Sequence, residues 1–444
     1  MHQFRKLAAL SLAAGTLAAC TDTVESPLGA GALSPEGIRI AATTYSGTPT
    51  CTGGILTASD GDTLRGQVTI PSGCTFTVNP ADANADGKVT IFGDASVNPS
   101  ALVISQGARI RSVGSASVPI VFTPTGGSTT PGAWGGIVLI GSAQTNDATA
   151  TVEGLPGSIS YGGANDTSSI GDIKYTRIEY AGYQLVTDNE LNGLSMYGVG
   201  CSPADTLDYI QVHRGSDDGF EFFGGCADLK HAVATGNEDD SFDFAYGWRG
   251  RGQYWIALQS TGVGDKGIEA DNDDAGTSAA TTGALTTNPT IFNITLVGRD
   301  ASIADSTSVN AGNWGIQLRR QVQATIRSSV VLGFDRACDG TGSSTHVVSN
   351  SIFFARAGTL NCTTANIRTT NPGLFAPYTR GAAVDFRPST AASAAATQAF
   401  SPVPTAPAVA GARSNFFDQT SYVGAAPVRS AATAWYAGWT NWSF

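Results

Sequence analysis

Carboxylates are concentrated in one short part of the chain, in two copies of one pattern. Asp217–Phe222 reads DDGFEF, and Asp239–Phe244 reads DDSFDF at a shift of 22 residues. If 22 residues form one structural repeat, Asp218 lies over Asp240 at roughly 4.8 Å, the spacing of neighbouring strands. Two full charges at that distance repel by roughly 3.5 kcal/mol at an effective dielectric of 20. A cation, a shared proton or basic side chains must offset this repulsion.

Two non-catalytic interpretations of the pattern are open. In one, Asp side chains at turns accept hydrogen bonds from backbone N–H groups, and basic residues pair the remaining charge. The basic residues close in sequence are Arg214, Lys230, Arg249, Arg251 and Lys266. In the other, carboxylate and carbonyl oxygens from successive repeats bind calcium, which takes about six to eight such ligands. The candidate calcium ligands are Asp217, Asp218, Glu221, Asp239, Asp240 and Asp243.

A catalytic interpretation is also open, with Asp218, Asp239, Asp240 and Arg249 as candidates. The aspartate spacing resembles that of polygalacturonase-type glycoside hydrolases, in which carboxylates act as general acid and base. That family's Gly-His-Gly element should follow within a coil, but no histidine occurs between His231 and His346. A polysaccharide lyase with calcium and an Arg or Lys base fits Arg249 or Arg251 better.

The elements that must position these residues also repeat. Ser329–Gly333 (SVVLG) is followed 22 residues later by Ser351–Ala355 (SIFFA), and Asn293–Gly298 (NITLVG) is a third copy. With 54 Gly, 2 Met and 14% charged residues, the composition favours short strands and turns over helices. A repeat of about 22 residues with several short strands predicts one coil of a right-handed parallel β-helix. Its core-facing positions are predicted to be Phe220, Phe242, Ile268, Ile294, Val330 and Ile352.

The sequence leaves two roles open for one group of aromatic residues. Trp248, Tyr254 and Trp255 either pack in the core or stack on sugar rings. The end of the chain, Trp435–Phe444, is predicted to seal the last coil, because a stack of coils needs caps. The region Cys51–Gly141 is the candidate N-terminal cap.

Several motifs resemble those of a widespread family of bacterial parallel β-helix lipoproteins. They are WGGIVL (134–139), RIEYAG (177–182), NELNGL (189–194), the two acidic repeats and the ending GWTNW (438–442). The resemblance covers about residues 55–300 and the C-terminal end. It implies an all-β, right-handed parallel β-helix and a place in the cell envelope, and hardly anything about activity.

The N-terminus predicts export. Arg5 and Lys6 precede an apolar stretch, Leu7–Leu17, that is too short to remain a membrane-spanning helix. It ends in Leu-Ala-Ala-Cys20, which looks like a bacterial lipobox whose cysteine is lipidated. Thr21 lies where the inner-membrane retention signal has Asp, so an outer-membrane lipoprotein is expected, on the periplasmic side or the cell surface.

These signals divide the chain into four predicted parts. Residues 1–19 form the signal peptide, and 20–50 the lipidated cysteine with a flexible tether. Residues 51–387 form the β-helix with its N-terminal cap. Residues 388–444 form an Ala/Pro-rich excursion and the aromatic C-terminal cap.

The other six cysteines fall into local pairs about one coil apart: Cys51/Cys74, Cys201/Cys226 and Cys338/Cys362. Six cysteines allow about 15 connectivities, so the nearest-neighbour pairing is a prediction that an oxidising compartment favours. No C-x-x-C motif is present to favour a metal instead.

The formal net charge of −11 and the absence of a basic cluster argue against nucleic-acid binding. The sequence therefore predicts an envelope protein that is anchored to the membrane by lipid. It presents a ligand-binding or adhesive face with structural calcium, and its partner is a polysaccharide or another envelope protein. The alternative is a carbohydrate-active enzyme, a lyase or hydrolase acting on an acidic polysaccharide.

Overall fold

Short strands with alternating buried and exposed residues make up most of the chain, as in Thr75–Val78 and Arg109–Val113. The computed structural model describes residues 42–444, except 188, 261, 274–284, 300–312, 343–344, 357–359, 380, 394–402 and 406–408. The predicted signal peptide, Cys20 and most of the predicted tether lie outside the described residues. So does part of the Ala/Pro-rich excursion.

The strands are β1 (Thr44–Gly47), β2 (Ile55–Ala58), β3 (Thr63–Ile70), β4 (Thr75–Val78), β5 (Val89–Gly93), β6 (Ala101–Ile104), β7 (Arg109–Val113), β8 (Ile120–Pro124), β9 (Gly136–Ile140), β10 (Gly171–Glu179), β11 (Gln184–Val186), β12 (Asn189–Glu190), β13 (Leu194–Tyr197), β14 (Thr206–His213), β15 (Phe220–Phe223), β16 (Leu229–Thr235), β17 (Phe242–Ala245), β18 (Arg251–Gln253), β19 (Ile256–Leu258), β20 (Ile268–Ala270), β21 (Thr290–Phe292), β22 (Thr295–Val297), β23 (Trp314–Leu318), β24 (Thr325–Arg327), β25 (Val330–Leu332), β26 (Arg336–Asp339), β27 (Val347–Phe354), β28 (Leu360–Asn361), β29 (Thr364–Arg368), β30 (Leu374–Ala376) and β31 (Asp385–Pro388). Single 3₁₀ turns occur at Pro80–Asp82, Thr125–Gly127 and Gly381–Ala383.

These strands form three parallel faces, which each coil visits in the order A, B, C. Face A contains β2, β4, β7, the first halves of β10, β14 and β16, then β18, β21, β24 and the first half of β27. Face B contains β5, β8, the second halves of β10, β14 and β16, then β19, β22, β25 and the second half of β27. Face C contains the second half of β3, then β6, β9, β13, β15, β17, β20, β23, β26 and β28. The predicted all-β parallel β-helix is confirmed.

Face C has the register that the acidic repeat predicts. Phe220 pairs with Phe242, and Phe242 with Ile268, and all three side chains are fully buried in the central core. The rings of Phe220 and Phe242 stack with centroids 5.2 Å apart. The shift of 22 residues is therefore one coil on this face.

On face B the predicted core positions are partly wrong. Ile294 is in the central core, but Val330 and Ile352 lie in a separate cluster with Val423 of the C-terminal segment. Val330 pairs with Thr295, one residue beyond Ile294, so these positions are not equivalent. Val330 and Ile352 are in register with each other, but the copy that contains Ile294 is offset from both by one residue, and a shift of one residue turns a side chain to the other side of a sheet.

The C-terminal aromatic residues do not form the predicted cap. Trp439 and Trp442 pack with Tyr436 against the outward side of face B, on a cluster that includes Val233 and Ile256 in the middle of the stack. Face B presents apolar side chains outward as well as inward, and these aromatic residues are buried against them along the side of the stack.

The N-terminal coils begin earlier than predicted. β1 (Thr44–Gly47) already pairs with β3, within the predicted tether. Tyr45 is buried against Phe76, with ring centroids 6.5 Å apart, and its hydroxyl donates to Asp62 at 3.0 Å. The predicted N-terminal cap, Cys51–Gly141, consists of ordinary coils with β2 to β9.

The three predicted cysteine pairs are disulfide-bonded: Cys51–Cys74, Cys201–Cys226 and Cys338–Cys362. Each closes a loop of about one coil, and such a loop restricts the unfolded chain by roughly 3 kcal/mol. Among the described residues, no helix has the length and apolar character needed to cross a membrane.

Candidate functional site

The turn between faces B and C carries a ladder of side-chain oxygens. Asn192, Asp218 and Asp240 occupy the same position in three successive coils. Each uses its Oδ1 atom to accept the backbone N–H of the next coil: Asp218 N at 3.2 Å, Asp240 N at 2.8 Å and Lys266 N at 2.6 Å. This is the hydrogen-bonded ladder expected of Asp and Asn at turns. It fixes the positions of Asp218 and Asp240 and leaves their second oxygens for other partners.

The strand that follows places a second row of acids beside the ladder. Glu221, Asp243 and Glu269 pair with one another in register on β15, β17 and β20, and they point out of the core. Glu221 accepts a short hydrogen bond from the Asn192 amide. The Oδ1 atom of Asp243 is buried and accepts no hydrogen bond from any described residue.

We call Asp218, Glu221, Asp240, Asp243 and Glu269 the acidic column. Four sets of three carboxylates have ligand atoms within 4.8 Å of one another. The sets are Asp217/Asp218/Asp239, Asp218/Glu221/Asp243, Asp239/Asp240/Asp265 and Asp240/Asp243/Glu269. Asp218, Asp240 and Glu269 are almost fully buried, whereas Asp239 is exposed at the rim.

Burial is the largest cause of a raised pKa throughout the acidic column. For Asp218 and Asp240, burial is the first cause and neighbouring carboxylates raise the pKa further, so both pKa values lie well above their usual range. The pKa values of Glu221 and Asp243 are raised in the same way. At the rim, burial followed by Asp239 and Glu190 raises the pKa of Asp217 to about 7. A carboxyl in this state needs either a proton or a cation.

Among the described residues, basic side chains form ion pairs at one end of the column only. The Lys266 ammonium lies 2.6 Å from Glu269, 2.5 Å from Asp265 and 3.9 Å from Asp240. Burial lowers its pKa, but Asp240 and Glu269 outweigh that effect and raise it. Arg319 pairs with Glu269 and, at 2.7 Å, with Asp271. No described Lys or Arg forms an ion pair with Asp217, Asp218, Glu221 or Asp243.

The other predicted basic partners lie elsewhere. Arg249 pairs with Asp166 at 3.1 Å, and Arg251 pairs with Asp228. Lys230 pairs with Asp418 at 3.0 Å, and Arg214 lies over the ring of Tyr180. The candidate catalytic Arg249 is therefore not brought to the acidic column.

The predicted calcium ligands are brought together, and two further groups join them. Asn192 was missed, although Asn192-Gly193-Leu194 matches Asp218-Gly219-Phe220 in register. Arg319 was also missed. It follows Gly315-Ile316, and Ile316 pairs with Ile268 of the preceding coil, but a long insertion between the two segments makes the repeat hard to recognise in the sequence. Trp248 and Trp255 are fully buried in the core, whereas Tyr254 lies on an outer turn.

The acidic column fits a hard divalent cation. Calcium ligands are oxygens at about 2.3–2.6 Å from the ion, so two ligand oxygens of one ion lie at most about 5 Å apart, and the ligand oxygens of each set lie within 4.8 Å of one another. Asp218, Glu221 and Asp243 form a set with no ion-pair partner among the described Lys and Arg residues, and Asp243 supplies a buried oxygen that accepts no hydrogen bond from a described residue. Each metal-ligand set found among the described residues consists of aspartate and glutamate.

A comparison with known protein families agrees with the fold. The family model described as "Pectate-lyase like beta helix domain" matches residues 51–440. The solved structure titled "Crystal structure of pectate lyase Pel9A" is 14% identical with a TM-score of 0.38, over 89% of this chain and 98% of that chain. A likeness this distant indicates nothing about activity. A search of curated proteins found no match.

Proposed function

The chain belongs to the family of pectate-lyase-like β-helix domains, and we propose that it is a lipid-anchored bacterial envelope protein whose acidic column binds calcium. The bound calcium stabilises the coils and supports a ligand-binding outer face. The observation that carries this proposal is the buried oxygen of Asp243, which accepts no hydrogen bond from a described residue. Asp243 forms a set with Asp218 and Glu221, neither of which has an ion-pair partner among the described residues.

The alternatives to a cation are costly at this end of the column. Basic side chains offset the charge of Glu269 and Asp240, but no Lys or Arg of the described part of the chain forms an ion pair with Asp218, Glu221 or Asp243. Protons neutralise them at a higher pH than is usual for a carboxyl group, because burial raises their pKa values. At a pH above those raised values, a divalent cation offsets several charges at once.

A polysaccharide lyase is the second candidate, and Lys266 is the observation that favours it. β-Elimination from a polyuronide needs a base that removes the proton next to the sugar carboxylate, and the bond to the leaving oxygen then breaks. Lys266 is the amine closest to the acidic column. However, Asp240 and Glu269 raise its pKa and hold it protonated, which favours binding over catalysis.

A glycoside hydrolase fits less well. Inverting hydrolysis needs two carboxyl groups roughly 6.5–9.5 Å apart with room for water between them. The oxygens of Asp218 and Asp239 lie within 4.8 Å of each other. The histidines also lie elsewhere: His213 contacts Thr235 on face B, and His346 accepts from Thr363 N.

Melting curves with calcium and with chelator test the proposal. Calcium at a hundredfold excess over its dissociation constant should add about 2.7 kcal/mol to folded-state stability. Asp243→Asn should lower the melting temperature in calcium, because a ligand is lost. It should raise the melting temperature in chelator, because repulsion is relieved.

Asp86→Asn is the matched control, because Asp86 is an exposed carboxylate paired with Lys88 at 3.1 Å. It should leave the calcium effect unchanged. Equal melting temperatures of the wild type in calcium and in chelator would reject the calcium site and leave the hydrogen-bonded ladder. Release of unsaturated products from pectate or alginate, abolished by Lys266→Met, would favour the lyase instead.

A further inference from the structure

A small polar cavity lies on the outer side of face A, where the chain enters β14 and β16 from the turn between faces C and A. Its inner wall consists of the first residues of these strands and of the turn before β14, and its outer wall is the C-terminal segment. The cavity has a volume of about 190 Å³. Pockets for drug-sized ligands have roughly 300–1,000 Å³, so the occupant of this cavity is a smaller molecule.

Strand alternation brings charged side chains to the inner wall. Leu207 of β14 belongs to the central core, so Asp208, the next residue, points outward towards the cavity. Its cross-strand neighbour on β16 is Lys230, which also lines the cavity. From the outer wall, the Arg413 guanidinium reaches back to the turn and donates a hydrogen bond to the backbone oxygen of Asp205. Charged groups of both signs therefore line one small space.

Two of these charged groups already have partners. Asp228 forms an ion pair with Arg251. The Lys230 ammonium lies 3.0 Å from the Asp418 carboxylate and donates to the backbone oxygen of Phe416 at 2.9 Å. These contacts hold the C-terminal segment against face A, and they need no ligand.

Arg413, Asp205 and Asp208 are not matched in this way. Arg413 forms no ion pair with any described residue, and its hydrogen bonds go to backbone oxygens. The Asp205 carboxylate accepts from the Ser169 hydroxyl, and one oxygen of Asp208 contacts the His231 ring at 2.8 Å. No Lys or Arg in the described part of the chain forms an ion pair with either aspartate. The cavity therefore has a cation and two carboxylates that do not pair with one another.

The unmatched groups are separated along the strand. Arg413 lies over Asp205, whereas Asp208 is three residues further on, roughly 10 Å along an extended backbone at about 3.3 Å per residue. Apolar groups complete the lining, namely the side chains of Ile170 and Phe416. A ligand that satisfies all of these groups has a positive end, a negative end and a short apolar part.

We propose that this cavity binds a small zwitterionic amino acid, with its carboxylate on Arg413 and its ammonium on Asp208. The planar guanidinium forms charge-assisted hydrogen bonds with a carboxylate, and the ammonium donates to the Asp208 carboxylate in the same way. A simple anion or a simple cation fits less well, because it leaves one charged group of the cavity without a partner. The cavity lies where face C leads into face A, whereas the acidic column lies between faces B and C. This function is therefore independent of the proposed calcium site.

Isothermal titration calorimetry of the full chain with L-valine and two of its analogues tests this proposal. Isobutylamine is valine without the carboxylate, and isovalerate is valine without the ammonium. The wild type should bind L-valine at least about tenfold more tightly than either analogue, because each analogue leaves one charged group of the cavity unpaired. Arg413→Met should weaken binding of L-valine about tenfold and leave binding of isobutylamine unchanged. Asp208→Asn should weaken binding of L-valine about tenfold and leave binding of isovalerate unchanged.

Arg111→Met is the matched control, because Arg111 also lies on face A but pairs with Asp172 at 3.4 Å and does not line the cavity. It should leave the affinity for all three probes within about twofold of the wild type, and melting curves show which variants are folded. No saturable binding of L-valine by the wild type would overturn the proposal, as would equal affinity for the three probes. Unchanged affinity for L-valine in folded Arg413→Met and Asp208→Asn would also overturn it.

Discussion

At the scale of single residues, the carboxylate oxygens of the acidic column have two different roles. One oxygen of Asp218 and one of Asp240 accept backbone N–H groups and hold successive coils in register. The remaining oxygens, with Glu221 and Asp243, face one another with their pKa values raised by burial. The hydrogen-bonded ladder and the cation site are therefore compatible uses of the same residues.

The raised pKa values predict an unusual dependence of stability on pH. A carboxyl whose pKa is higher in the folded chain binds more protons when folded, so stability falls as pH rises through that window. For Asp217 the window extends from the unfolded value of 3.8 to about 7. In chelator, the melting temperature should therefore rise as pH is lowered from about 8 to about 6.5, which lies above the window in which His213 and His346, whose pKa values burial lowers, oppose this trend.

Carboxylates with lowered pKa values, such as Asp94 and Asp385, do not oppose this trend, because their contribution is lost only below the unfolded pKa. Saturating calcium should flatten the profile, and Asp217→Asn should reduce its slope in chelator. A melting temperature in chelator that falls steadily on acidification over this range would contradict the raised pKa values.

At the scale of elements, the core-facing ring of β17 is predicted to hold neighbouring coils together. Phe242 is fully buried, and it stacks on Phe220 and on Trp255 at 4.6 Å. Phe242→Ala should cost about 3–5 kcal/mol of unfolding free energy through the cavity that it leaves. Phe375→Ala removes a ring that is 51% exposed and should cost much less. Equal losses in chemical denaturation would contradict the assigned core.

The C-terminal segment, which includes Asp418 and Asn441, is held against the β-helix by side-chain amides that form hydrogen bonds with the backbone of the segment. Gln253 donates to Asp418 O at 2.9 Å and accepts from Asp418 N at 2.9 Å. Gln211 makes the same two contacts with Asn441, each at 2.6 Å. These pairs extend along the side of the stack from the middle coils towards the N-terminal coils.

Gln211→Ala should therefore speed hydrogen exchange at the Asn441 amide by about tenfold, because the loss of roughly 1–1.5 kcal/mol favours local opening. Gln106→Ala is the matched control, since the Gln106 amide also donates to backbone oxygens, but to those of Gly141 and Gly162, which lie outside the C-terminal segment. Exchange at Asn441 that is equally fast in both variants would show that Gln211 does not hold the segment.

At the scale of the whole molecule, the sequence predicts the register of coils that share a repeated pattern, but it does not predict the register of coils that are separated by an inserted segment. The parallel stacking and the register of Glu221 over Asp243 follow from identical patterns at one coil length. Ile294 and Val330 were misaligned because a long insertion separates their coils, and short apolar runs fit either side of a sheet. The pairing of Arg319 with Glu269 spans a similar insertion.

Attachment of the chain to the envelope through a lipid stays a prediction from Leu-Ala-Ala-Cys20. Wild type should partition into detergent after membrane fractionation, because acyl chains on Cys20 anchor it. Cys20→Ala should be recovered in the aqueous phase with an unchanged melting temperature. Aqueous recovery of both proteins would contradict a lipid anchor.

Calcium binding by the acidic column is the central claim, and a crystal structure of the full chain grown with calcium tests it most directly. The anomalous difference map should show a peak coordinated by Asp218, Glu221 and Asp243, with metal–oxygen distances of about 2.3–2.6 Å. Crystals of Asp243→Asn grown in the same way should show a weaker peak or none. Wild-type crystals at saturating calcium with no peak among these carboxylates would contradict the claim.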